Sequence, residues 1–593
     1  MRILGLSSFT HDIAAAVLED GTIRAVMEES KLVRAKNTRG LPEAAIRFCL
    51  KKTGATWRDL DFIAVSGRPV RGWIRRSMAG AKVSPLSPVA AAYCQVGEIG
   101  RLARELGYFR VIRHQDRAPS ARIVDFEHQL CHAASAFFLS PFERALIITV
   151  DEEGDGKSGL IGIGEGTKIR VLRTIPYPHS LAWLYSQITE LLGFVPHLDE
   201  HKTQWLSLEG KPLYRDALYN MLRKAGDGSW RLDGSYLDHG IGGRFVLSSK
   251  FYSRVGLPRQ AAELSEDQRR ALAATVQEVC TEVISEMVQA IRKREGLDQF
   301  CFAGGLFQNS LLVHSLEQNL GLDQVFVPPA PGNAGCALGA ALLAQHQLLG
   351  MPRAKTGSGV YWGTSYSRQE IKDVLENCKA RFSLHNTKER RSEVAVKLLQ
   401  SGKIIAWFQG ANEFGPRALG NRSVLASPWA PYVKENLNDF IKHREWFRPF
   451  AISMPEEDAA RYFEYSQLCR FMNTLARVRP GTHCLPNDFV LPGNLVRLHT
   501  VEKQTNPALW DLLKRFGETA PAPMLLNTSF NLFGEPLVVT PRDAIRSLFG
   551  SGIDALLINN FVLAKHSAAH FLERMPVKQY AHDDLSSVPS SAT

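Results

Sequence analysis

Residues 2–29 and 145–173 follow one plan, and that repetition constrains the chain more than any other feature. The first copy reads RILGLSS, a turn FTHD, then IAAAVLEDGTIRAVMEE. It predicts a strand, a loop, a second strand, a tight turn at Asp20-Gly21 and a third strand. The second copy reads ALIITVD, a loop EEGDGKS, then GLIGIGEGTKIRVLR, and its segment EGTKIRV echoes DGTIRAV. Such a repeat suggests two related half-domains facing one another. In each copy the first strand runs into small, polar or glycine residues, where exposed backbone N–H groups suit a phosphate. An ordinary polar turn explains either loop alone; the matched pair favours the phosphate.

Two further glycine turns follow. CFAGGLFQNSL, residues 301–311, ends an apolar segment at Gly304-Gly305 and opens a helix-like run with Asn309. Paired glycines there let a flat ring or ribose approach the backbone. PPAPGNAGCALGAALLA leads into a helix rich in small residues. These features fit an α/β, actin/hexokinase-like architecture with ATP between two halves, an analogy of fold that does not fix the reaction. Residues 350–367 are rich in Gly, Ser and Thr without periodicity. We therefore expect a first domain over 1–352, a linker over 353–367, a second α/β unit over 368–565, and a polar tail over 566–593. Residues 68–125, with GWIRR and SPLSP, read as an elaboration on the first domain.

The 593 residues carry a formal net charge of +11, which suits anionic ligands. No nucleic-acid motif accompanies it, so small phosphates are favoured over nucleic acid. Nine scattered cysteines without a C-x-x-C pair read as reduced thiols of a cytoplasmic protein. The opening segment lacks a signal-peptide apolar region, and no run is long enough to span a bilayer, so no membrane partner is expected.

The densest chemical signal lies in the second unit. KIIAWFQG reads as a buried strand, followed by ANEFGPRALGNRSVLASP with Arg417 and Arg422 in a Gly/Pro-punctuated loop. IKHREWFRPFA supplies Lys442, Arg444, Glu445 and Arg448; NLVRLHTV supplies Arg497; PMLLNTSFNLFGEP supplies Asn527, Thr528 and Ser529. Arginines fork onto phosphate or carboxylate oxygens, while hydroxyls and an amide orient the ligand. Surface ion pairs with Glu413 and Glu445 are the plainer explanation for single members, but the set sits beside Gly, Pro and Phe. In the first domain, EHQLCHAASAFF places His128 and His132 four apart, on one face of a predicted helix. Spacing alone makes a packed pair more common than a metal site.

Together EFGPRALGNRS, KHREWFRPFA, LLNTSFN, SSFTHDIAAAVLEDG, EHQLCHAASAFF and AGGLFQNS resemble the O-carbamoyltransferases of the NodU/CmcH/TobZ family, in family order over nearly the whole chain. The resemblance implies a TsaD-like ATP domain joined to a YrdC-like domain. It implies use of carbamoyl phosphate and ATP, through carbamate and carbamoyl adenylate, to carbamoylate a hydroxyl of a small natural product or sugar. It places carbamoyl phosphate at Arg417, Lys442, Arg448, Arg497, Asn527 and Ser529. It makes His11 the base and assigns nucleotide contacts to Lys36, Asp151, Gly154, Gly156, Gly304, Gly305 and Asn309. It also makes His128 and His132 ligands of a divalent metal, Fe2+ or similar, with Asp151 and the position of Asn333.

Three departures accompany the match. Asn333 stands where the family has an aspartate, which removes a charge from the shell. Glu28-Glu29-Ser30 lacks the family's arginine, and WLSLEG replaces G-L-A-x-Y-G after Glu200 and Lys202. Alternatives are a tRNA threonylcarbamoylation enzyme, a sugar kinase releasing ADP, and a non-catalytic nucleotide-binding scaffold of the same fold; an oligomer is compatible with all.

Overall fold

The computed structural model describes residues 1–83, 88–114, 121–225, 229–239, 245–353, 359–482 and 485–565. The expected tail, 566–593, lies outside these, as do residues 354–358 of the expected linker.

The repeat becomes two five-stranded sheets of one topology. In the first, the strands Thr22–Glu28, Ala14–Glu19 and Arg2–Ser7 form an antiparallel meander, and Phe62–Ser66 and Arg122–Phe126 add in parallel. In the second, Lys168–Pro176, Lys157–Glu165 and Arg144–Gly154 form the meander, and Phe300–Ala303 and Val325–Phe326 add in parallel. Duplication of this unit is the actin/hexokinase-like arrangement.

Helices His128–Phe137 and Gly335–Leu342 pack at the seam between the sheets. The small residues of AGCALGAALLA now have a cause. A Cβ at Gly339 would lie 2.0 Å from the Cys131 carbonyl oxygen, and one at Gly5 2.1 Å from that of Ala337. Both distances are far inside contact, so helix, helix and strand meet backbone to backbone.

One expected loop is not a loop. The segment EEGDGKS continues the hairpin: its strand runs to Gly154, turns at Asp155 and Gly156, and resumes at Lys157. Asp155 and Gly156 take φ of +56° and +73°. The register shifts between Val150 and Gly154, a bulge that re-aims Asp151 at the seam. Residues 68–125 do elaborate the first sheet, as helices Pro69–Val83 and Pro88–His114 between its two parallel strands.

The C-terminal half is one ten-stranded sheet whose centre is formed by Ala555–Ile558, Ile405–Phe408, Arg422–Ala426, Leu525–Ser529, Ala451–Pro455 and Leu495–Val501. Alternation along Ile405–Phe408 sends Ala406 and Phe408 into one core and Ile405 and Trp407 into another. Helices Arg368–Asn377 and Pro541–Phe549 cover the first face, Lys388–Gln400 and Pro507–Gly517 the second.

Buried polar contacts join the halves. Lys31 Nζ donates to the carbonyls of Glu413 at 2.8 Å and Gly415 at 3.0 Å and pairs with Glu28 at 2.9 Å. Glu28 in turn accepts from the Gly415 N–H at 2.8 Å. Arg34 reaches Glu535 at 2.9 Å and the carbonyls of Pro536 and Leu537. The Glu-Glu-Ser departure therefore lies at this junction, with Ser30 lining the cavity described next.

Candidate active site

A cavity of about 650 Å³ runs between the halves. His11, Lys36, Asp151, Gly305, Asn309 and Asn333 line it from the N-terminal side; Arg417, Lys442, Arg444, Arg448, Arg497, Asn527 and Ser529 line it from the C-terminal side.

His128 and His132 do not line the cavity; they are buried behind its lining residues Asp151 and Asn333. Their Nε2 atoms lie 3.1 Å apart, and each is 3.3 Å from Asp151 Oδ2. Asn333 Oδ1 is 3.1 Å from His128 Nε2. His132 Nδ1 meets the Pro331 carbonyl at 3.1 Å and must donate to it, so His132 Nε2 carries a lone pair. His128 Nδ1 sits 3.3 Å from Ser66 Oγ. Two imidazole nitrogens, a carboxylate and an amide oxygen converge on one point. This donor set fits a divalent cation of borderline hardness, and the Pro331 carbonyl orients its ligand from behind. Burial works against the Asp151 carboxylate, but its contacts to both histidines hold it well below the usual range. Cys336 Sγ also lies within 4.8 Å of the two ligand nitrogens. Burial pushes that thiol well up, so it stays protonated and faces the His128 carbonyl.

His11 stands next to this cluster. Its Nδ1 is 2.9 Å from Asp12 Oδ2, and its Nε2 is 3.2 Å from the Asn333 amide nitrogen. Asp12 accepts a hydrogen bond from Nδ1–H, which leaves the Nε2 lone pair facing inward. Burial lowers the affinity of this ring for a proton, and Asp12 more than restores it. Asn333 thus bridges the His128–His132–Asp151 cluster and His11 with opposite ends of one amide.

The far end of the cavity is cationic. Arg417 donates to the Gln308 carbonyl at 3.0 Å; Lys442 donates to Ser529 and to Asn531 Oδ1 at 2.5 Å; Arg444 donates to Asn438 at 3.0 Å. All these partners are neutral. Among the described residues two carboxylates are in ion-pair contact at this end: Glu445, 3.4 Å from Arg448 and 2.8 Å from Lys202, and Asp199, 3.2 Å from Lys202. Nε of Arg417 and of Arg497 is buried without a hydrogen-bond partner among the described residues, as is Oδ1 of Asn527. Burial and the neighbouring guanidinium of Arg448 push Arg417 down to about 10 and Arg444 to about 9. Burial and the neighbouring cations lower Lys442 and Arg497 well below their ordinary values. His201, also lining the cavity, is driven well down by burial and then by Arg448 and Arg417. So many buried cations with so few counter-charges call for an anion.

Several residues singled out in the sequence fall elsewhere. Gly154 and Gly156 do not line the cavity. A Cβ at Gly154 would lie 2.1 Å from His128 Cδ2, and one at Gly156 2.3 Å from Arg75 Cβ, so these glycines clear space for side chains. Gly304 likewise lets the turn reach Val150, while the Gly305 N–H meets Asp151 Oδ1 at 3.2 Å. Asn309 lines the cavity and caps helix Ser310–Leu320 through Oδ1, with its amide on Gln277 at 2.7 Å. Arg422 opens a strand instead of lying in a loop; fully buried, it clamps the carbonyls of Gln409, Asn421, Gly410 and Thr364 over the Phe408 ring. Glu413 pairs with no guanidinium and accepts from the N–H groups of Leu419, Asn421 and Arg422. Arg444 and His201 are among the cavity residues that the resemblance did not assign, with His197, Asp199 and Lys202. A run such as KHREWFR marks Arg444 as one of many cations, and nothing in HKTQWL distinguishes His201. Trp205, from the departing WLSLEG segment, lies 5.8 Å beneath the Arg497 guanidinium.

Known proteins agree with this geometry. Residues 2–342 match the Carbamoyltransferase N-terminus and residues 396–565 the Carbamoyltransferase C-terminus. The chain belongs to the carbamoyltransferase family and is an enzyme of carbamoyl transfer. It is 33% identical to nodulation protein NolNO of Sinorhizobium fredii, covering 95% of this chain and 80% of that protein. It is 33% identical to the uncharacterized protein sll1178 of Synechocystis, covering 95% and 97%. Full-length HypF in its phosphate- and nucleotide-bound form overlaps 58% of this chain and 55% of its own, at 13% identity and a TM-score of 0.31, too low to bear on function.

Proposed function

We propose that the chain is an ATP-dependent O-carbamoyltransferase that takes its carbamoyl group from carbamoyl phosphate and delivers it to a hydroxyl of a small natural product or sugar. The observation that carries this reading is the single cavity with a cationic end in one half and His11 beside the histidine–aspartate cluster in the other. We assign residues 1–352 to the nucleotide and residues 368–565 to carbamoyl phosphate.

In this scheme Arg417, Lys442, Arg444, Arg448 and Arg497 bind the phosphoryl oxygens, and Asn527 and Ser529 orient the carbamoyl end. Water cleaves the mixed anhydride to carbamate and phosphate, and the cations stabilise the departing phosphate. A carbamate oxygen then attacks the α-phosphorus of ATP held near Lys36, Gly305 and Asn309; pyrophosphate leaves and carbamoyl adenylate forms. The acceptor hydroxyl displaces the Asn333 amide from His11 Nε2, gives that nitrogen its proton and attacks the carbamoyl carbon as AMP departs. Asp12 stabilises the resulting imidazolium. His128, His132, Asp151 and Asn333 would hold a divalent cation such as Fe2+, whose charge would offset that of a nucleotide phosphate.

Incubation with carbamoyl phosphate and ATP, followed by mass spectrometry, tests the proposal. Carbamoyl adenylate, AMP and pyrophosphate are expected. ADP as the nucleotide product, or AMP release independent of carbamoyl phosphate, overturns it.

A further inference from the structure

We propose that helices Pro69–Val83 and Pro88–His114 dock this enzyme on the surface of an anionic phospholipid bilayer. The inference is independent of the reaction scheme and departs from the sequence-based expectation of no membrane partner.

Among the described residues, ion pairs and ring stacking hold the inner side of this helix pair. Arg76 pairs with Glu98 at 2.7 Å and with Glu153 at 3.2 Å, and Arg101 pairs with Glu105 at 2.8 Å and with Glu153 at 3.0 Å. Although burial opposes it, these two arginines hold Glu153 at about 2. Tyr108 and Phe109 stack on Phe9 with ring centroids 6.1 and 5.4 Å away.

The outer side has no such partners. Val70, Ile74 and Met78 recur at every fourth position of the first helix and are 45–56% exposed. On the second helix Val96, Ile99 and Leu106 are 44–70% exposed and share one face. With Val111, the pair carries seven of the nineteen well-exposed large apolar side chains among the described residues. Scattered apolar residues on a surface need no explanation, but this concentration at helical spacing does.

Charge identifies the occupant. Residues 69–114 hold eight Lys and Arg against two Glu, a net +6 in a chain of +11. Arg71, Arg104, Arg110 and Arg113 are exposed and make no ion pair among the described residues. Both glutamates are used internally. A second copy of this face would therefore set arginine against arginine, whereas an anionic headgroup layer neutralises the row. Along the second helix the apolar positions come first and Arg110 and Arg113 continue the same face beyond them. That order lets the apolar part enter the headgroup–acyl boundary while the guanidinium groups reach phosphates. No helix of the described residues is long and apolar enough to cross a membrane, and surface docking requires none.

The test is co-sedimentation of the full chain with phosphatidylcholine vesicles prepared with and without phosphatidylserine. Binding is expected to the phosphatidylserine vesicles and to fall with salt. Arg104→Gln with Arg110→Gln is expected to weaken it about thirty-fold. Ile74→Glu with Ile99→Glu is expected to abolish it, with melting curves confirming that each variant folds. Equal binding to both vesicle types, or binding unchanged by both pairs of substitutions, overturns the proposal. So does a dimer in vesicle-free solution that Ile74→Glu with Ile99→Glu disperses, since the face is then a contact between copies. The vesicle comparison needs no variant and decides the matter if a substituted protein does not fold.

Discussion

Replacing Arg497 by Met separates a ligand-binding cation from a structural one, because the two roles predict opposite signs. Arg497 is buried beside Arg417, Arg444 and Arg448, has no carboxylate in ion-pair contact among the described residues, and keeps an unpartnered Nε. In the ligand-free protein it is a cation among cations, offset by a guanidinium–ring contact with Trp205. Removing an uncompensated buried charge and keeping the volume stabilises by roughly 1–4 kcal/mol, and losing the ring contact costs about 0.5–2 kcal/mol. The net expectation is a change between about −1 and +3.5 kcal/mol, so the ligand-free melting temperature stays close to its starting value or rises. Binding of carbamoyl phosphate should move the other way. A charge-assisted hydrogen bond is worth about 1.5–3 kcal/mol, so affinity should fall about ten- to hundred-and-fifty-fold. ATP affinity should be unaffected, since the nucleotide is assigned to the other half. Isothermal titration with each ligand, together with thermal melts, gives all three quantities. A variant that is several kcal/mol less stable yet binds carbamoyl phosphate normally would refute the reasoning and make Arg497 a structural residue.

Two other outcomes are expected. Asn333→Asp adds a carboxylate to the histidine cluster and removes the amide donor from His11, so bound divalent metal, measured by elemental analysis, should rise about ten-fold at limiting metal; unchanged metal content would contradict the ligand assignment. Glu317, buried at the junction and hydrogen-bonded by Ser466 at 2.5 Å and by Thr474, is pushed up to about 7 by burial. Its folded-state value lies above the unfolded value of 4.5, so the native state holds the proton more tightly and stability falls as pH rises from about 4.5 to 7. Glu317→Gln should remove that fall and leave the variant up to about 3 kcal/mol more stable at pH 8; parallel pH profiles for both proteins would contradict it.

What could be read in the sequence had local causes. The Asp20-Gly21 turn, the alternation of KIIAWF and the small residues of GCALGAALLA each follow from a rule about a few neighbouring positions, and the structure has them all. The histidine pair was legible as a helical face. What was not legible depended on distant backbone. EEGDGKS reads as a loop because glycine and charge dominate it, yet Gly154 is there to admit the His128 ring from another element. Arg417 and Arg422 are five apart in one Gly-rich stretch and look alike. One enters the cavity and the other is locked under four carbonyls, a difference set by where a strand begins. Glu317 carries no signal at all, since its partners lie about 150 residues away in the other half.

The backbone contacts of Gly5 and Gly339 also limit how this molecule can move. The strand at Gly5 and the helix at Cys131 are wedged against helix Gly335–Leu342 with no glycine side chain between them, which leaves little that can compress. Any opening of the cavity between the halves has to break the contacts that Lys31 and Arg34 make across the junction.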